Sequence, residues 1–251
     1  MFQLKNLYDN SNIECTKQLG AFKVFEHKKD LSVSPYNAEE AYFSAEMNVK
    51  KRQVLVELNG NSVTMQAGAM QWMLGNVSMN SGVTGVGNFL GKMVKGAVTG
   101  ESAAKPVYTG QGLVMLEPTY KHIILVNVAD WGQLVLDDGL FLACDSTLQH
   151  KVVGRSNLSS AVLGGEGLFN LSLMGQGIAA LESPVPQEEL IKFDLNNDVV
   201  KIDGNMAIAW SGSLEFTVEK SSKSLLGSAV SGEGFVNVYR GTGSILMAPT
   251  R

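Results

Sequence analysis

LGGEGLFNLSLMGQG, residues 163–177, is the stretch on which the fold reading turns. Glycines this dense belong either to a loop that cradles a phosphate or to turns that punctuate strands. A Walker loop needs GxxxxGK followed by Ser or Thr, and no Lys-Ser or Lys-Thr follows these glycines. A dinucleotide fingerprint needs GxGxxG between a strand and a helix. Here Gly165-Glu166-Gly167 is followed by Leu168, Phe169 and Asn170, so the third glycine is missing. The stretch therefore reads as structure rather than as a nucleotide site.

It also recurs. TGESAAKPVYTGQG at 99–112 and SGEGFVNVYRGTG at 231–243 share its layout. Each carries a Gly-Glu pair, at Gly100-Glu101, Gly165-Glu166 and Gly232-Glu233. Each then has Gly-x-Gly, at Gly110/Gly112, Gly175/Gly177 and Gly241/Gly243, a short apolar run, and a proline, at Pro118, Pro184 and Pro249. A catalytic loop is needed once, whereas a structural turn recurs.

Upstream, Gly68, Gly139 and Gly204 anchor the three copies. Five residues before them stand Val63, Leu134 and Val199. Two after stand Met70, Phe141 and Met206, and four after stand Trp72, Ala143 and Ile208. Apolar residues two apart give the period of a strand with one buried face. Asp138-Gly139 and Asp203-Gly204 predict hairpins, because both central positions can take positive φ. Ala67-Gly68 is a weaker version. Between turn and Gly-Glu lie small-residue runs at 88–101, 156–166 and 223–233, read as one or two helical turns or irregular crossovers.

The reading is thus an all-β chain of three internal repeats, 54–118, 119–186 and 187–251, packed as one compact unit around a pseudo-threefold axis. Residues 1–53 stand outside as an N-terminal extension. FKVFEH at 22–27 is read there as an added edge strand or part of a subunit-swapping arm, and Gln187–Leu190 after Pro186 as a helical turn.

Composition sets further bounds. Only 18% of the 251 residues are charged, below a usual ~25%, which fits surface spent on subunit contacts. The net charge of −4 argues against a cationic nucleic-acid face. Cys15 and Cys144 form no CxxC and fit a reducing compartment. The N-terminus has no basic region followed by an apolar run, and no stretch approaches 18 apolar residues, so the expectation is a soluble cytoplasmic protein.

The pieces AGAMQWM (67–73), VTGES (98–102), DDGLFLACDS (137–146), GGEGLFNL (164–171), GNMAIAW (204–210) and SGEGFVNVYRGTG (231–243) occur in order over nearly all of 54–249. This pattern resembles a bacterial family of uncharacterised proteins with a fold like that of the trp RNA-binding attenuation protein (TRAP-like), a family that also includes a fungal mitochondrial biogenesis factor. The resemblance implies three β-sandwich units per chain, a ring-like homo-oligomer, most simply a homotrimer, and no established enzyme activity. Ala103-Ala104-Lys105-Pro106 departs from the family's apolar run after Gly-Glu-Ser. The attenuation protein reads RNA with basic residues and binds tryptophan between subunits, and neither pattern is present. Fold does not carry function, and no nucleic-acid partner is expected.

The candidate chemistry is sparse. His27, His122 and His150 form no HxH or HExxH pair, so no metal or other cofactor is assigned. Glu101, Glu166 and Glu233 recur at matched positions, where they cap glycine-turn N–H groups or, near a threefold axis, bind a polar ligand. Asp137, Asp138 and Asp145 share one predicted hairpin and read as turn formers and edge charges. Ser146, Ser156, Ser159 and Ser160 lack GxSxG. Trp72, Trp131 and Trp210 read as core or interface anchors. Three functions remain: a non-enzymatic oligomeric scaffold or binding protein, a ligand-binding protein or enzyme with a pocket between repeats built from His122, Lys121 and Asp145, and a peripheral membrane-complex factor.

Overall fold

The computed structural model describes residues 3–81, 105–154, 169–220 and 235–250. The small-residue connectors, and with them Glu101, Glu166 and Glu233, lie outside the described residues. Antiparallel strands dominate, with one short helix, in an eight-stranded and a seven-stranded sheet.

The turn glycines do not close hairpins. β3 (Arg52–Met65) and β4 (Met70–Asn80) flank Gly68, yet both pair with β5 (Val107–Leu116) and not with each other. Thr64 lies opposite Val107 and Met70 opposite Leu116. A straight strand would hold Val107 and Leu116 about 30 Å apart, while the chain from 64 to 70 reaches at most about 22 Å. β5 must therefore fold back between its ends, and it does so at Gly110 and Gly112, whose φ values are 139° and 158°. A Cβ at Gly110 would strike the Asn76 carbonyl, and one at Gly112 the Leu74 carbonyl, so β4 crosses directly over this corner.

β6 (His122–Asn127), β7 (Gln133–Leu136), β8 (Phe141–Asp145), β9 (Gln149–Gly154), β10 (Phe169–Met174) and β11 (Ile178–Ser183) follow. β11 lies between β6 and β8 in the first sheet, and β10 between β7 and β9 in the second. Gly175 and Gly177, the end of the stretch at 163–177, form the corner at which the chain leaves one sheet for the other. Last, β15 (Phe235–Met247) lies between β12 (Ile191–Asp203) and the pair β13 (Ala207–Ser211) and β14 (Glu215–Lys220).

These pairings correct the hairpin expectation. Gly139 and Gly204 take positive φ, but the aspartates before them do not. The turns are arches: those at Gly68 and Gly204 open to admit a later strand, β5 or β15, and the one at Gly139 carries the chain from the second sheet to the first. Val199 is a second correction: it faces outward, while Val63 and Leu134 are buried as the period requires. Trp210 is buried, stacked on Phe216 and edge-on to Tyr239, whereas Trp72 and Trp131 are half-buried at the margins of other clusters.

β3 carries Val54, Leu55 and Val56, all buried in succession, so this strand is covered on both faces. Val54 and Val56 join the interior with Phe22, Met65 and Leu116. Leu55 faces the other way, under Leu7, Phe25 and Met115. The N-terminal extension is thus the lid on β3. Its β1 (Ile13–Leu19) forms the sheet edge, while β2 (Phe22–His27) pairs with both β1 and β3. FKVFEH is therefore an inner strand rather than the edge. After it, Pro35–Asn37 makes a 3-10 turn leading into α1 (Ala38–Glu46), an element the sequence reading did not predict. The turn after Pro186 forms as expected, over Gln187–Glu189.

Candidate functional site

A polar cavity of about 260 Å³ opens between the N-terminal extension and the body of the sheet. β1 supplies Thr16 and Lys17, β2 Glu26, β3 Arg52, β6 His122, and the 3-10 turn Gln187 and Glu188. Arg52 anchors it. The residue is 4% exposed, and a buried guanidinium is tolerated only with its donors satisfied and its charge matched. Nε and Nη2 reach Glu26 Oε2 at 3.0 and 2.9 Å. Nη1 donates to the Lys50 and Tyr120 carbonyls, and Nη2 to the Asn48 carbonyl and, at 2.7 Å, to Asn48 Oδ1. Arg52 also exchanges backbone hydrogen bonds with Thr119. One side chain thereby ties together β2, the segment after α1 and the start of the second unit.

His122 borders this cavity, half-buried at the head of β6. Burial first, then the Arg52 charge, lowers its pKa from the ordinary imidazole value, so the ring is neutral at pH 7. Lys17 Nζ lies 3.1 Å from Gln187 Oε1 and 3.7 Å from Glu188. The cavity thus offers a neutral imidazole, an ammonium and carboxylates to a small polar ligand.

The other residues proposed for a pocket stand elsewhere. Lys121 is exposed and pairs with Glu182 at 2.8 Å. Asp145 accepts the Ile178 N–H at 2.8 Å, at the far end of β11 from Ser183, the residue opposite His122. Its carboxylate also lies against Gly177, where it braces the corner. Asp137 and Asp138 sit at the turn before β8 and Asp145 at its end, so the three do not converge. Ser146 bonds Thr64 across strands, and Ser156, Ser159 and Ser160 lie outside the described residues.

A thiol–imidazole pair forms between two residues that the sequence reading had taken separately. Cys144 Sγ lies 3.1 Å from His150 Nε2, and Phe141 stacks edge-on to the same ring. Burial raises the Cys144 pKa far above that of a free thiol, so this is not an activated nucleophile. Packing of its ring and the Lys105 charge lower His150 to about 4. Among the described residues no cluster of three or more His, Cys, Asp or Glu side chains is placed to hold a metal ion, and no helix is long and apolar enough to cross a membrane.

Arg52 and Glu26 went unseen in the sequence because 26 positions separate them. The available signal was a basic run, Lys50-Lys51-Arg52, leading straight into the apolar residues of β3.

Residues 43–250 match the family model described as mitochondrial biogenesis AIM24. The chain belongs to the AIM24 family. It is similar to an uncharacterised protein of Streptococcus pyogenes serotype M6, 32% identical over 201 residues, 76% of this chain and 79% of that one. It is also similar to the crystal structure of a protein from Streptococcus pyogenes, with a TM-score of 0.59 and 29% identity over 82% of this chain and 90% of the other. The match begins at Phe43, so most of the extension, including β1, β2 and the first half of α1, lies outside the family model.

Proposed function

We propose that the protein is a non-enzymatic scaffold that works as a homo-oligomer, built from three TRAP-like repeats per chain around a pseudo-threefold axis and acting in the cytoplasm. The observation that carries the oligomer is the pair of long outer strands β4 and β12. Among the described residues each pairs on one side only, and they leave Met73, Met79, Ile191 and Val199 exposed. Long apolar edge strands are docking templates unless covered. The repeat reading is supported by the matched place of Gly-x-Gly: within β5 and β15, the last and middle strands of the first and third units, and between β10 and β11, the last two strands of the second. A trimer is the simplest ring for a chain with three like units.

Native mass spectrometry of the gently purified full chain tests this. The expected mass is three times the chain's 26.9 kDa, or a whole multiple of that trimer, with nothing bound. A single-chain mass at micromolar concentration overturns it. A reproducible extra mass per chain favours the second reading, a small-ligand protein, which the charged His122 cavity supports. Loss of that mass in His122→Ala, with the fold retained, would place the ligand there.

A further inference from the structure

Helix α1 is amphipathic the wrong way round. It turns Ala41, Ser44 and Ala45, spaced three and four apart, toward the body and leaves Tyr42, Phe43 and the following Met47 in solvent. A surface helix normally buries its large apolar side chains and exposes its small or polar ones. The flanks continue the inversion: Tyr36 is 98% exposed, Met47 78%, and Leu31 and Val49 also face solvent. All six are at least half exposed and fall within residues 31–49, a concentration of large apolar side chains that marks an interaction surface.

Beside the helix runs a groove of about 280 Å³ with small or apolar walls at Val33, Ala41, Ala45 and Val49. Most of the rest of its lining is charged: Lys51 pairs with Asp30 and Lys50 with Glu26, Lys28 and Lys29 stand beside them, and the helix is acidic at Glu39, Glu40 and Glu46. Among the described residues none of these three glutamates is in an ion pair. Lys29 faces only the Tyr42 ring, and Lys28 reaches Glu14 at a loose 3.8 Å. One patch thus holds a projecting aromatic, a groove beside it, and unspent charges of both signs.

We propose that this patch is a two-fold interface with a second copy of the same chain, in which Tyr36 of each copy enters the other's groove and Glu39 and Glu40 meet the partner copy's lysines. Two-fold contacts require a self-complementary surface, and charge of both signs on one patch supplies it. A membrane surface fits worse, because the acidic helix would face anionic headgroups. The inference rests on the reading of the protein as self-associating but not on the trimer, since it uses α1 rather than the sheet edges.

The test is native mass spectrometry of the full chain against Tyr36→Asp/Phe43→Asp, with circular dichroism to confirm the fold. The variant is expected at half the wild-type mass: trimer from hexamer if the edge strands also associate, monomer from dimer if they do not. The number of chains left thus judges the trimer separately. Equal masses overturn the proposed interface, as does binding to anionic vesicles without a change in mass. Should the double variant misfold, Lys28→Glu/Lys29→Glu and Glu39→Lys/Glu40→Lys replace it. Each alone is expected to halve the mass, and mixing the two is expected to restore it. No restoration overturns the charge pairing.

Discussion

Replacing Glu26 with glutamine keeps the side chain's shape and removes the charge that Arg52 faces. The guanidinium is 5% exposed and cannot rehydrate in place. Stripping one partner from a buried pair costs about 3–5 kcal/mol, because the remaining ion stays buried. Glutamine Oε1 still accepts one hydrogen bond, and Glu26 is itself 17% exposed, so the loss falls near the lower end, about 3 kcal/mol. For a chain of this size that lowers Tm by roughly 6–12 °C. Arg52→Met costs a similar amount, since it leaves three carbonyls and Asn48 Oδ1 without their donor. Two residues acting as one unit are not additive, so Arg52→Met/Glu26→Gln is expected to lose about 2 kcal/mol less than the sum of the singles. Urea denaturation followed by tryptophan fluorescence gives all four corners of the cycle. A Glu26→Gln loss below about 1 kcal/mol, or strict additivity, would refute the reasoning.

Other expectations follow from the same geometry. His150 is held neutral down to about 4 against an ordinary 6.5. Unfolding releases it to take a proton, so stability is expected to fall as pH drops from about 6.5 toward 4 and to hold above that window. His150→Gln should flatten this part of a Tm-against-pH profile. Gly110→Ala, which drives a Cβ into the Asn76 carbonyl, is expected to cost more than about 2 kcal/mol, whereas Gly68→Ala, with open space around it, should cost about 1 kcal/mol from its positive φ alone. Similar midpoints for the two in urea would argue against the corner at Gly110.

The sequence disclosed the recurrence of the glycines but misassigned their work. Asp-Gly between apolar runs predicts a hairpin because the local signal carries turn chemistry and not strand partners. What decides between a hairpin and an arch is the corner in a strand some forty residues later. Of the 163–177 stretch, the described end is structural: Gly175 and Gly177 turn the chain between sheets. Helix α1 was missed although its signals were present: Asn37 precedes Glu39 and Glu40 in the first turn, and Asn48 after Met47 takes a φ of 64°. Its inverted apolar face hid it, since the large residues that usually mark a helix's buried side point to solvent here. His122 was legible as a half-buried residue, but Arg52 and Glu26, which shape the cavity around it, were not. Ion pairs between strands far apart in sequence leave no periodic trace.

Placing β5 and β15 between strands made before them has a consequence during synthesis. β3 and β4 leave the ribosome before β5, and β12 to β14 before β15, so each arch must wait, open and unzipped, for the strand that fills it. Within a unit the backbone groups on the inner edges stay solvated until then, and the sheet closes only when the closing strand arrives and bends at its glycines. Sites at which nascent chains of this protein are most exposed to chaperones or to wrong pairing are therefore the waiting arches, and a translational pause placed just before β5 would lengthen that exposure more than one placed after it.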